Sequence, residues 1–240
     1  MAAPVPVRYK EGLTHGFLIL RDEAGKIIAS GQVEQTVRGT VVTATLRFRF
    51  KDGSLHEETT VFSQAGTFKV LSDHLLEKGP AFKDTIEVWI DRAKSQVKIR
   101  EIKDGKDKVS THSMKLPEDL ANGIISIVIK NFADNTPQTL TLVAATPKPR
   151  IVKLVFTTQR EDDVSFEGSA LKAKHYAMKV QIGGIAGAVA PIVGKQPHDS
   201  NFWVLGGNAP AFLRSKGPIS GENPVWEIEL ASPSWPGETQ

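Results

Sequence analysis

A mainly β fold is predicted: a long-stranded antiparallel meander forming a strongly curved sheet or barrel, with one apolar helix packed in its hollow. Three observations predict it. Glycine falls at positions 12, 25, 39, 53, 66 and 79, at steps of 13 or 14 residues. Between those glycines apolar and polar residues alternate, most clearly over Thr40 to Phe50, where Val42, Ala44, Leu46, Phe48 and Phe50 share one face. A two-residue period punctuated by turn residues is the pattern of antiparallel strands joined by hairpins. One stretch, Leu120 to Phe132, breaks the period and is apolar nearly all round. Such a helix has to be covered on most sides.

The elements follow in order. Thr14–Leu20, Lys26–Val37, Thr40–Phe50, Ser54–Gln64, Thr67–Lys78, Thr85–Asp91 and Gln96–Ile102 read as successive strands, and Lys108–Met114 follows the Asp104-Gly105 turn. Strands of about ten residues span roughly 33 Å, and sheets this long coil strongly, which favours a curved half-barrel or barrel. Pro117, Glu118 and Asp119 mark a helix start, since proline suits the first turn and carboxylates oppose the positive end of the dipole. Asn122 and Gly123 lower helix propensity and allow a kink or break. Strands resume at Gln138–Ala145, Ile151–Thr158, Asp163–Leu171 and Lys174–Ile182. A glycine-rich loop then runs from Gly183 to Asp199, and strands at Asn201–Leu205, Ala209–Ser215 and Val225–Leu230 complete the count. Thr146-Pro147-Lys148-Pro149 is a rigid connector. The expectation is nevertheless a single domain over 1–240, with residues 146–150 as the one sub-boundary.

Composition bounds the function. The chain has 240 residues, 40 % hydrophobic and 24 % charged, which is ordinary for a globular protein. A net charge of +3 is spread along the strands, without the clustered basic and aromatic face that nucleic-acid binding requires. No nucleic-acid partner is therefore expected. With no cysteine, disulfides, thiolate catalysis and cysteine-ligated zinc are excluded. No run reaches the ~18 apolar residues of a membrane span. Met1-Ala2-Ala3-Pro4-Val5-Pro6 reads either as the extended start of a mature exported protein or as a native cytosolic start.

If each glycine marks a two-residue turn, Glu57 lies opposite His74 and Thr59 opposite Ser72, on a face otherwise built of Leu, Val and Phe. Directly paired Cβ atoms are about 5 Å apart. A carboxylate orienting an imidazole beside a hydroxyl is the kit for acyl transfer, with His74 as base, Glu57 as orienter and Ser72 as nucleophile. The same four side chains equally form a satisfied polar patch in a β core, or the polar corner of an otherwise apolar ligand pocket. Gly31 on a neighbouring strand leaves room for a ligand or for the helix. Trp203 and Phe212, following the glycine-rich loop, suit the mouth of an apolar cavity or a loop buried against the sheet end. Asp162 and Asp163 are weak calcium candidates that lack the spacing of a calcium loop, and no cofactor is otherwise expected.

Several passages resemble an uncharacterised family of exported bacterial β-rich proteins. These are Ser72-Asp73-His74-Leu75 with Lys78-Gly79-Pro80, Leu116 to Gly123, Gly194-Lys195-Gln196-Pro197 and Ala209-Pro210-Ala211-Phe212. The resemblance implies a periplasmic or secreted location and a curved antiparallel sheet, and it transfers no catalytic residue. The leading functional expectation is binding of a small apolar or amphipathic ligand in the sheet's hollow. A hydrolase of carboxylic esters or lactones is the alternative, and a structural or interaction protein using its strand edges is the third. The partner would be a small-molecule ligand or substrate, and the sequence leaves the oligomeric state open.

Overall fold

The computed structural model describes residues 3–133, 136–146, 148–166, 169–181, 198–221 and 223–231. The Gly183-to-Asp199 loop lies almost wholly outside them, as do Gly194 to Pro197. The first half is eight strands: β1 (Thr14–Arg21), β2 (Ile27–Arg38), β3 (Val41–Phe50), β4 (Leu55–Ser63), β5 (Lys69–Lys78), β6 (Thr85–Asp91), β7 (Gln96–Lys103) and β8 (Lys106–Ser113). The second half holds β9 (Gln138–Ala144), β10 (Arg150–Thr158), β11 (Asp162–Phe166), β12 (Ser169–Gln181), β13 (Ser200–Leu205), β14 (Ala211–Gly217) and β15 (Trp226–Ala231). Each strand of the first half pairs antiparallel with its sequence neighbour, as the alternation predicts. The two halves join where β1 pairs with β15.

The ladder runs β8-β7-β6-β5-β4-β3-β2-β1-β15-β14-β13-β12-β10-β9, with β11 attached to β12. It is an open path with β8 and β9 as its ends, so the expected strongly curved sheet or barrel is not what forms. Closure requires the two end strands to pair, and β9 spends its outer edge on residues 119–122 instead.

The expected helix is also shorter. Only α1 (Ile125–Val128) and a following 3₁₀ turn, Ile129–Asn131, are helical. Two residues explain this. Gly123 takes φ +66°, a left-handed conformation that ends any helix begun at Leu116. Asn122 uses its side chain to bond the backbone of Val143 on β9. The segment therefore runs as a strap from the β9 edge to the inner face of the sheet. Its Leu120, Ile124 and Ile129 are almost fully buried, in one apolar cluster with Phe62, Ile99 and Phe156. A second cluster gathers Leu20, Phe48, Phe50, Phe82 and Trp226. Each such side chain stabilises the fold by roughly 1.5–3 kcal/mol through burial.

The hollow expected for a ligand is not formed among the described residues. The two cavities that stand out hold about 70 and 60 Å³, against roughly 300–1,000 Å³ for a small-molecule site. Gly31 leaves no space: a Cβ there would lie 2.3 Å from the Phe48 ring, which fills the position. No described helix is long and apolar enough to cross a membrane.

Candidate functional site

The inner face of β4 and β5 carries a cluster of buried polar residues, and they are not the ones expected. The Asp52-Gly53 turn is a three-residue loop: the Phe50 N–H donates to the Ser54 carbonyl, and Gly53 sits at φ +86°. This is the common three-residue hairpin with glycine in the left-handed position. One extra loop residue shifts the register by one, and a one-residue shift moves every side chain to the other face. Phe48 thus pairs with His56, and Arg47 with Glu57. The next link is longer again, because residues 66–68 pair with Val5 and Val7 near the N-terminus. A bulge between Val61 and Phe62 follows from it. Thr59 therefore faces His74, Glu57 faces Leu76, and Ser72 faces Val61.

The four expected site residues accordingly lie on the outer face and do not assemble. Glu57 pairs with Arg47, and the Thr59 hydroxyl meets that of Thr45 at 3.1 Å. His74 Nε2 lies 3.0 Å from Glu87, and its ring stacks on Trp89 at 5.1 Å. Among the described residues no hydroxyl is bonded to His74, so the acyl-transfer set is not built. The ester or lactone hydrolase loses its machinery, just as ligand binding loses its hollow.

The inward set is His56, Glu58 and Thr60 on β4 with Asp73 and Glu77 on β5. His56 Nδ1 lies 2.9 Å from Glu77 Oε1, and both side chains are buried. The Ser220 hydroxyl donates to Glu77 at 2.7 Å, and Asn223 adds a longer bond at 3.4 Å. His56 Nε2 is buried without a partner. The Thr60 hydroxyl donates to Asp73 at 2.6 Å. Burial is the main force on Asp73 and pushes its carboxyl up to about 7, although the Thr60 bond pulls the other way. Glu58, the more accessible of the two, is also raised, by desolvation first and then by the charges of Asp73 and Glu77. Among the described residues no hydroxyl is bonded to His56, so the cluster is a buried polar seam with no imidazole-activated nucleophile.

Gly123 seats the strap on this seam. A Cβ at that position would lie 1.8 Å from Thr60 Oγ1 and 2.9 Å from Asp73 Oδ1. The strap's backbone thus rests directly on the Thr60–Asp73 pair.

The remaining expected residues are occupied elsewhere. Trp203 is sandwiched between His175, stacked at 4.6 Å, and the Arg214 guanidinium at 4.5 Å. Its Nε1–H donates to Asp162 at 2.9 Å, which together with His175 holds that carboxyl below its ordinary range. Asp163 pairs with Lys172 at 2.6 Å. Among the described residues no group of three His, Cys, Asp or Glu side chains is placed to hold a metal ion. Phe212 packs against both apolar clusters.

The two ends of the ladder differ most in what they leave open. On β9, the Ala121 N–H donates to Thr141 O at 2.9 Å and the Thr141 N–H to Asp119 O at 3.1 Å. Asn122 Nδ2 donates to Val143 O at 3.1 Å, and the Val143 N–H donates to Asn122 Oδ1 at 2.9 Å. That edge is closed by the chain itself. On β8, Lys103 pairs with Lys106 across the two-residue Asp104-Gly105 turn, both of whose φ values are positive. Residues flanking such a turn exchange backbone hydrogen bonds. Lys106, Lys108, Ser110 and His112 therefore bond inward to β7, consistent with the Met114 N–H to Ser95 O bond at 2.8 Å. Asp107, Val109, Thr111 and Ser113 aim their N–H and C=O groups outward. Val109 is 54 % exposed, one of three large apolar side chains left in solvent among the described residues. The sequence showed the hairpin but gave no sign that the opposite edge would be capped.

No protein-family model matches the chain, and no curated protein does. Two solved structures resemble it. A beta-barrel-like protein of the domain of unknown function DUF1849, from Brucella abortus, superposes with a TM-score of 0.52 at 11 % identity, covering 93 % of this chain and 98 % of that one. The hypothetical lipoprotein YmcC from Escherichia coli gives a TM-score of 0.37 at 11 % identity over 92 % and 86 %. The chain thus shares its fold with an uncharacterised β-rich protein.

Proposed function

We propose that the protein is an interaction module that docks an extended segment of another protein by strand addition on β8. One observation carries the reading: of the two ends of the ladder, residues 119–122 close β9, while among the described residues nothing pairs with four outward backbone positions on β8. An exposed edge is a template for a further strand, in which main-chain bonds supply affinity and side-chain pockets specificity. We further propose that the module is one domain over 1–240 and is exported, on the strength of the motifs it shares with exported β-rich proteins. Subcellular fractionation of the full-length gene product decides the location.

The docking reading is tested by site-specific photo-crosslinking in the native host. A photoreactive residue at Thr111 should give a defined adduct, and one at Thr141 on the capped edge should give none. Val109→Pro removes an outward N–H while sparing the β7 ladder, as proline on an edge can, and should abolish the Thr111 adduct. An adduct that survives Val109→Pro, or forms equally from Thr141, contradicts the reading.

A further inference from the structure

We infer that the segment docking on β8 is acidic, with an apolar residue followed by two carboxylates in the alternating order apolar, Asp/Glu, any, Asp/Glu. This rests on the strand-addition reading. The β7–β8 hairpin carries five cations, and three are engaged. Lys98 lies over the Trp89 ring at 4.6 Å, Arg100 pairs with Asp107 at 2.6 Å, and Lys103 pairs with Asp84 at 3.3 Å. Lys106 and Lys108 are exposed, and neither has a carboxylate within ion-pair distance among the described residues.

The geometry gives these two lysines a common direction. As residues i and i+2 of one strand they share a face, roughly 7 Å apart. Val109 and Thr111 take the other face. A strand added antiparallel, like every pair already in this sheet, sets its side chains about 5 Å from those directly opposite. Opposite Val109 an apolar residue covers exposed surface. Opposite Lys108 and, two residues on, Lys106, carboxylates meet ammonium groups that no carboxylate among the described residues reaches at ion-pair distance, Glu101 directly across from Lys108 on β7 included. Asp107 between them is already held by Arg100, so the position facing it carries no charge requirement.

The lysines also reject. Charged side chains on an edge oppose pairing with apolar or basic strands, so the edge stays free of unselective association and admits a segment that neutralises it. Such exposed pairs are screened by salt. Binding should weaken between low and physiological ionic strength.

The test uses fluorescently labelled ten-residue peptides centred on Val-Glu-Thr-Glu, with Val-Gln-Thr-Gln and Val-Lys-Thr-Lys as controls, read by anisotropy against the full chain. The Glu peptide should bind on the order of tenfold tighter than the Gln peptide, and the Lys peptide weakest. The Lys106→Glu/Lys108→Glu variant should reverse that order, and Val109→Pro should abolish binding of all three. Circular dichroism confirms that both variants keep the sheet. Equal affinity for the Glu and Gln peptides, lost in Val109→Pro, would overturn the charge inference and leave strand addition standing. Binding indifferent to Val109→Pro, or no binding by any peptide, would overturn both.

Discussion

The two end strands of the ladder face the same physical problem and meet it differently. On β9 the chain supplies its own cap: Asp119, Ala121 and Asn122 satisfy Thr141 and Val143, and Gly123 anchors that cap on the buried Thr60–Asp73 pair. On β8 nothing among the described residues is paired to the outward backbone groups, and Lys106 and Lys108 stand guard by charge alone. An edge sealed by packing is closed to every partner. One guarded only by charge is closed to most partners and open to those of opposite charge. On the proposed reading, the difference separates a structural end from a docking one.

The largest test of the comparison is on the capped side. Gly123→Ala combines a left-handed backbone with a Cβ driven into Thr60 Oγ1, and should destabilise the fold by about 3 kcal/mol or more. Chemical denaturation measures this directly. A loss under about 1 kcal/mol would mean that the strap is not seated on the seam.

The seam itself predicts a pH dependence. The Asp73 carboxyl is pushed up to about 7 in the fold, from an ordinary value of 3.8, so the native state holds its proton more tightly than the unfolded chain. Its contribution is full below about pH 4, is lost as pH rises through 7, and amounts to a few kcal/mol at most. Asp73→Asn should therefore flatten the pH profile of stability between 4.5 and 8. It should also make the protein more stable than wild type at pH 8. A profile that stays as steep in the variant would show that Asp73 does not carry the dependence.

Asn122→Ala removes both side-chain bonds to Val143 and should cost about 2 kcal/mol. More tellingly, it should turn β9 into an open edge. The Val143 amide, which should exchange slowly in the wild type, should then exchange on the timescale of a surface loop. Unchanged protection of Val143 would break the asymmetry between the two ends.

How much of this the sequence disclosed depended on loop length. The eight strands of the first half were legible because alternation is set by burial, and β3 shows it without exception from Val42 through Phe50. The Asp104-Gly105 hairpin was legible because both positions need φ > 0. Register was not. Lys51-Asp52-Gly53 forms a three-residue loop, although its Asp-Gly pair equally suits a two-residue turn. That one residue exchanged Glu57 and Thr59 for His56, Glu58 and Thr60 on the inner face. The three-residue form sets His56 beside Phe48, as observed. The long helix failed because Asn122 and Gly123 serve contacts with Val143 and Thr60, which are distant in sequence. Pairing of β1 with β15 and capping of β9 have no local signature at all.

The central claim is that β8 is the open end and β9 the closed one, and backbone amide hydrogen exchange tests it most directly. In the free protein the amides of Val109 and Thr111 should exchange at near-unprotected rates, while those of Thr141 and Val143 are protected. Saturating Val-Glu-Thr-Glu peptide should slow Val109 and Thr111 at least tenfold and leave Thr141 and Val143 unchanged. Protection of Val109 and Thr111 in the free protein, or no slowing with the peptide, would contradict the account.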